Sequence, residues 1–99
     1  MSGIRTIGVI GAGQMGNGIA HVCALAGFDV ILNDVSADRL AAGMKTIERN
    51  MDRQVHRQMI TAEARDAAMR RLSSATNLTG FGDVDFAIEA ATFARGSFA

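Results

Sequence analysis

Residues 4–10 run Ile-Arg-Thr-Ile-Gly-Val-Ile, an apolar stretch rich in β-branched side chains that predicts a buried parallel strand. A helical pattern follows over residues 14–26. Met15, Ile19, Val22 and Leu25 or Ala26 recur at spacings of three and four and are expected to face a sheet. Gly27 suits the left-handed position that ends a helix. Residues 29–34 form a second apolar run, read as a second strand. Ser36 is placed to cap a helix from Ala37, and Leu40, Met44, Ile47, Met51 and Val55 keep one apolar face toward Met59. Thr61 offers another cap, with Glu63 behind it. Ala64, Ala68 and Leu72 then continue at period four, and Arg70 and Arg71 suit the negative end of that helix. The prediction is a helical hairpin between strands two and three in place of a single crossover helix. Met44, Met51, Met59 and Met69 read as packing between its arms. A short third strand is expected at 74–78, a turn at 79–83 and a fourth strand at 84–90. Residues 92–99 carry no pattern.

The chemistry sits at the first junction. Gly11-x-Gly13-x-x-Gly16 follows a strand pattern and opens a helix pattern. Gly11 permits the tight turn, Gly13 lets the backbone approach a pyrophosphate, and Gly16 lets the helix pack closely on the strand. The first-turn N–H groups around Gln14 and Met15 and the helix dipole then favour an anion. Asp34 closes the second strand about 20 residues on, the spacing of a carboxylate that accepts hydrogen bonds from an adenosine ribose. A carboxylate there repels a 2′-phosphate, so the expected cofactor is NAD rather than NADP. The bland alternative is a tight turn followed by a strand-end acid with no ligand. Glu89, Ala90 and Ala91, at the end of the fourth strand, are expected to border the cofactor, because dinucleotides cross the carboxyl ends of parallel strands.

Composition narrows the setting. Ninety-nine residues make one small domain, and 48% hydrophobic with 20% charged residues is the balance of a globular chain. A net charge of zero argues against nucleic acid as the main partner. No apolar run has the length of a membrane span, only three residues precede the first strand, and Cys23 has no second cysteine to pair with. The expectation is a cytoplasmic protein. Cys23 reads as a small buried filler and His21 as a satisfied or polar-face residue. Charge is uneven, however. Between positions 35 and 73 eight basic residues face five acids, a local net of +3. Lys45, Arg49, Arg53 and Arg57 recur every four residues. That stripe is either a solvated face partly balanced by Glu48 and Asp52, or a contact for the phosphates of a nucleotide-bearing substrate.

Taken together, residues 7–20, the run Val30-Ile31-Leu32-Asn33-Asp34, the basic hairpin and Asp85-Phe86-Ala87-Ile88-Glu89-Ala90-Ala91-Thr92 resemble the amino-terminal part of the 3-hydroxyacyl-CoA dehydrogenases, particularly the bacterial 3-hydroxybutyryl-CoA dehydrogenases. The resemblance covers residues 4–92. It implies an α/β fold, a partial Rossmann-type doubly wound parallel sheet with a helical hairpin between strands two and three. It also implies NAD held by the backbone from Gly11 to Met15, ribose held by Asp34, and a hairpin near the CoA moiety. Members of this family oxidise the 3-hydroxyl of an acyl-CoA. A histidine oriented by a glutamate takes the proton while hydride passes to the nicotinamide.

The pattern then breaks. Where the family has a second glutamate after the strand-end Glu-Ala, this chain has Phe93, and residues 93–99 resemble nothing in the family. His21 and His56 do not match the catalytic histidine. The expectation is a truncated NAD-binding domain over 1–92 with a non-family tail over 93–99 and no carboxy-terminal substrate and dimerisation domain, as from a truncated or frame-shifted coding sequence. An acyl-CoA is then a partner only in a full-length enzyme. Without a general base the chain alone is expected to lack dehydrogenase activity, a loss of about 10²–10⁴-fold. An exposed sheet edge is expected to favour homo-oligomers or aggregation. A flavoprotein or a 6-phosphogluconate-type dehydrogenase is disfavoured by the long hairpin. A non-catalytic dinucleotide-binding module stays open beside the dehydrogenase reading.

Overall fold

In the computed structural model, which describes residues 4–90, four parallel strands lie in the order β3-β2-β1-β4. β1 spans Thr6–Ile10, β2 Asp29–Asn33, β3 Leu72–Ala75 and β4 Phe86–Glu89. Ala91, Thr92 and the 93–99 segment lie outside the described residues, as do Met1 to Gly3. Sequential strands step outward from β1 to β3, and β4 then returns to the other side of β1. The winding therefore reverses between β1 and β4, the place where open α/β sheets take their ligands. β4 is pinned at its start by Asp85. Its Oδ2 accepts the N–H groups of Arg5 at 2.8 Å and Thr6 at 3.0 Å, which hold the carboxyl below the ordinary carboxylate range.

α1 (Gln14–Leu25) joins β1 to β2, and the hairpin of α2 (Ala37–His56) and α3 (Ala62–Arg71) joins β2 to β3. Both hairpin helices start where the sequence puts their caps: Ser36 Oγ accepts the Arg39 N–H and Thr61 Oγ1 accepts the Ala64 N–H. Leu40, Ile47 and Met51 are buried from α2 and join Val9, Val30 and Leu32 of the sheet in the core. Ile47 is fully enclosed. Ile47→Ala is expected to lower unfolding stability by about 2–5 kcal/mol, read from urea denaturation, because the cavity collapses only in part. A loss under about 1 kcal/mol would show that the helix face is loosely packed.

Several expectations need correction. On α1 the buried residues are Gly16, Ala20, His21 and Ala24, with Ile19, Cys23 and Leu25 partly packed, whereas Met15 and Val22 are exposed. The helix lies too close to the sheet for large side chains at the contact. α2 ends at His56 instead of near Met59: Gln58 takes φ 60°, and Met59 is exposed rather than packed between the helices. Ala64 is exposed too. β3 begins at Leu72, the residue that also ends α3, so no loop separates them and the strand lies earlier than 74–78. Residues 79–83 form a 3-10 helix that lays the Phe81 ring on Gly8, where any side chain would collide with it.

Candidate functional site

The β1–β2 ladder runs one residue past β1, where the Gly11 N–H donates to the Asn33 carbonyl at 2.7 Å. Gly11 then takes φ 104°, which only glycine adopts readily, and the chain turns out of the sheet. One turn into α1, Gly16 rests on the Gly11 carbonyl; a Cβ there would overlap that oxygen. This contact holds the start of α1 over the end of β1. At Gly13, which caps the helix without a side chain, a Cβ would meet no protein atom within 4 Å. Gly13 lines a cleft of about 430 Å³ whose walls also include Gly11, Gln14, Met15 and Gly16. The loop is supported from behind by α2. A Cβ at Gly43 would come within 2.9 Å of the Ala12 carbonyl oxygen.

Asp34 lines the same cleft beside the glycine loop and is only 6% exposed. Its Oδ2 accepts the Ala12 N–H and its Oδ1 the Ser36 N–H, both at 3.0 Å. One carboxylate therefore ties the glycine loop to the turn between β2 and α2. The Ala12 N–H is the main reason its pKa lies below the usual carboxylate value. Burial opposes that shift, and the Ser36 N–H and the charge of Arg39 add to it. With the Val35 N–H also acting on the carboxylate, its backbone donors occupy up to three of about four lone-pair sites, which leaves acceptor capacity for a further donor. A hydroxyl-rich ligand with anionic groups fits this arrangement: acceptors at one end, an uncapped helix N-terminus at the other.

Seven of the residues named from sequence, Gly11, Gly13, Gln14, Met15, Gly16, Asp34 and Ala90, line this one cleft. Glu89 is exposed and stands outside its wall, and Ala91 lies outside the described residues. Ile10, Asn33, Val35 and Arg39 complete the wall and were not singled out from sequence. Val35 carried a signal, an apolar residue just past a strand end; it is 90% exposed. His21 and Cys23 are elsewhere. His21 Nε2 pairs with Gln54 Oε1 at 2.8 Å between α1 and α2, and burial pushes the Cys23 thiol up, away from a nucleophilic thiolate. Among the described residues no cluster of His, Cys, Asp and Glu could hold a metal ion, and no helix is long and apolar enough to cross a membrane.

The sequence profile of the 3-hydroxyacyl-CoA dehydrogenase NAD binding domain matches residues 6–93. The chain belongs to this family. As its NAD-binding domain, it is 59% identical over 88 residues to a 3-hydroxybutyryl-CoA dehydrogenase of Bradyrhizobium diazoefficiens, covering 89% of this chain and 30% of that protein. It is 37% identical over 92 residues to a 3-hydroxyadipyl-CoA dehydrogenase of Escherichia coli, covering 93% of this chain and 19% of the other. Among solved structures, the 3-hydroxybutyryl-CoA dehydrogenase of Escherichia coli superposes with TM-score 0.86 at 35% identity, over 89% of this chain and 19% of that one. The (S)-3-hydroxybutyryl-CoA dehydrogenase of Ralstonia eutropha gives 0.84 at 35% identity, over 87% and 30%. The chain thus spans less than a third of the length of these relatives. The matched family model is that of an NAD binding domain, so the cofactor of this domain is NAD.

Proposed function

We propose that the cleft between the glycine loop and Asp34 is the NAD site of this domain. The first turn of α1 and the Gly11–Gly16 backbone would hold the pyrophosphate, and Asp34 the adenosine ribose. Val35 and Met15 would offer apolar surface to the rings. The observation that carries this reading is the open space at Gly13 in the same cleft wall as the Asp34 carboxylate, which its backbone donors do not saturate. When bound, NAD supplies a hydride acceptor. The residues of this chain bind and orient it, and none of the described residues in the cleft wall is a histidine able to take a proton.

In the whole protein, the substrate would be a 3-hydroxyacyl-CoA oxidised at its 3-hydroxyl. The α2 stripe supports a contact with CoA phosphates. Glu48 and Asp52, the acids that balance it on paper, are taken instead by Arg65 of α3, at 3.0 and 2.9 Å. Lys45, Arg49, Arg53 and Arg57 are left exposed, with no ion pair among the described residues. The unpaired Cys23 thiol fits a reducing, cytoplasmic setting.

Isothermal titration of NAD and NADP into the purified protein tests the cofactor reading. Saturable NAD binding is expected, with NADP weaker by about tenfold or more, since the 2′-phosphate meets the Asp34 carboxylate. A folded protein that takes up neither dinucleotide would overturn it.

A further inference from the structure

Arg39 stands in the same cleft wall as Asp34, in the first turn of α2. The placement is electrostatically unfavourable, because the positive end of a helix dipole opposes a cation there. The one opposite charge that acts on it is the Asp34 carboxylate of the same wall, which Arg39 in turn helps to hold ionised without an ion pair between them. The backbone N–H of Arg39 is taken by Ser36 Oγ at 3.1 Å, but its guanidinium makes no hydrogen bond or ion pair. Asp38, beside it, is not part of the wall. A guanidinium that breaks a local rule at a ligand cleft, beside an acid but with its own donors unused, points to a ligand group as their acceptor.

At this end of the cleft NAD and NADP differ by one group, the phosphate on the ribose 2′ oxygen. A planar guanidinium with its donors free is the side chain best suited to that phosphate. Asp34 and Arg39 therefore act on the two dinucleotides in opposite directions. We propose that Arg39 is a second determinant of dinucleotide choice: it meets the 2′-phosphate of NADP, so the protein binds NADP weakly instead of excluding it, and Asp34 keeps NAD ahead. This rests on the NAD site proposed above.

The test is titration of NAD, NADP and adenosine 2′,5′-bisphosphate into the wild-type protein, Arg39→Ala, Asp34→Asn and the double variant. Arg39→Ala is expected to weaken NADP and the bisphosphate by about tenfold and NAD by much less, raising the ratio of NAD to NADP affinity about fivefold. Asp34→Asn is expected to strengthen NADP, and the double variant to lose that gain. If Asp34→Asn does not fold, the wild type and Arg39→Ala decide the matter. Equal losses for NAD and NADP would make Arg39 a general anchor and overturn the proposal. So would unchanged NADP affinity, or wild-type NADP binding too weak to measure beside normal NAD binding. Absence of NAD binding to the folded wild type would instead overturn the site itself, and this proposal with it.

Discussion

Gly16→Ala is expected to destabilise the protein by about 3 kcal/mol or more and to abolish measurable NAD binding, the largest effect of any single methyl group here. The added carbon would overlap the Gly11 carbonyl oxygen, which is backbone and has no rotamer to move into. Either α1 lifts from β1 or the loop deforms, and each outcome misplaces the helix N-terminus at the cleft. Gly18→Ala is the control. It lies two residues further along the same helix, and a Cβ there meets nothing within 4 Å. That substitution is expected to stabilise by about 0.5–1 kcal/mol, the ordinary helix gain of alanine over glycine. Denaturation of the two variants side by side checks the contrast. Tolerance of Gly16→Ala would mean that close packing of α1 on the loop is not what shapes the site.

Removing the Asp34 carboxylate is the second large effect. Asp34→Ala leaves the Ala12 and Ser36 N–H groups without their acceptor and takes away the proposed ribose contact. The expected result is about 2 kcal/mol lost from stability, within the range for hydrogen bonds to a charged group, and NAD binding weakened about 30-fold or more. The same bonds give a pH signature. Because the folded-state pKa is lowered, Asp34 contributes its stability above the unfolded carboxyl value of about 3.9. That contribution drains away as pH falls from there through the folded value. Asp34→Asn should therefore flatten the acid limb of a stability profile below about pH 4. An acid limb identical in variant and wild type would show that Asp34 gains nothing from its two backbone donors.

Much of this was readable from the chain. The β1, β2 and β4 segments, the glycine loop, Asp34 and both hairpin caps follow from local rules, because each needs only a few neighbouring residues to act. What local rules missed depends on distance between elements. Hydrophobic spacing chose Met15 and Val22 as the inner face of α1, since apolar scales reward size. The contact at Gly16 instead brings the helix so near the sheet that Ala20 and Ala24 occupy the interface. The stripe on α2 was paired on paper with Glu48 and Asp52 by sequence proximity, but Arg65 reaches both from α3. Arg39 was counted as one more basic residue. Its meaning came only from sharing a wall with Asp34.

The strand order also dictates a sequence of assembly. Ile7 pairs with Val30 after closing a loop of about 20 residues, but with Phe86 only after closing one of about 80. By chain statistics the second closure costs roughly 1 kcal/mol more. During synthesis, β1, α1, β2 and the glycine loop can therefore assemble while the far side of β1 still waits for its partner. The glycine loop and Asp34 of the proposed site belong to the early part, and the Asp85 clamp on Arg5 and Thr6 is among the last contacts to lock. Until it does, β1 carries an open edge of apolar, β-branched residues, so the interval between the two closures is when a nascent chain of this topology is most exposed to mispairing.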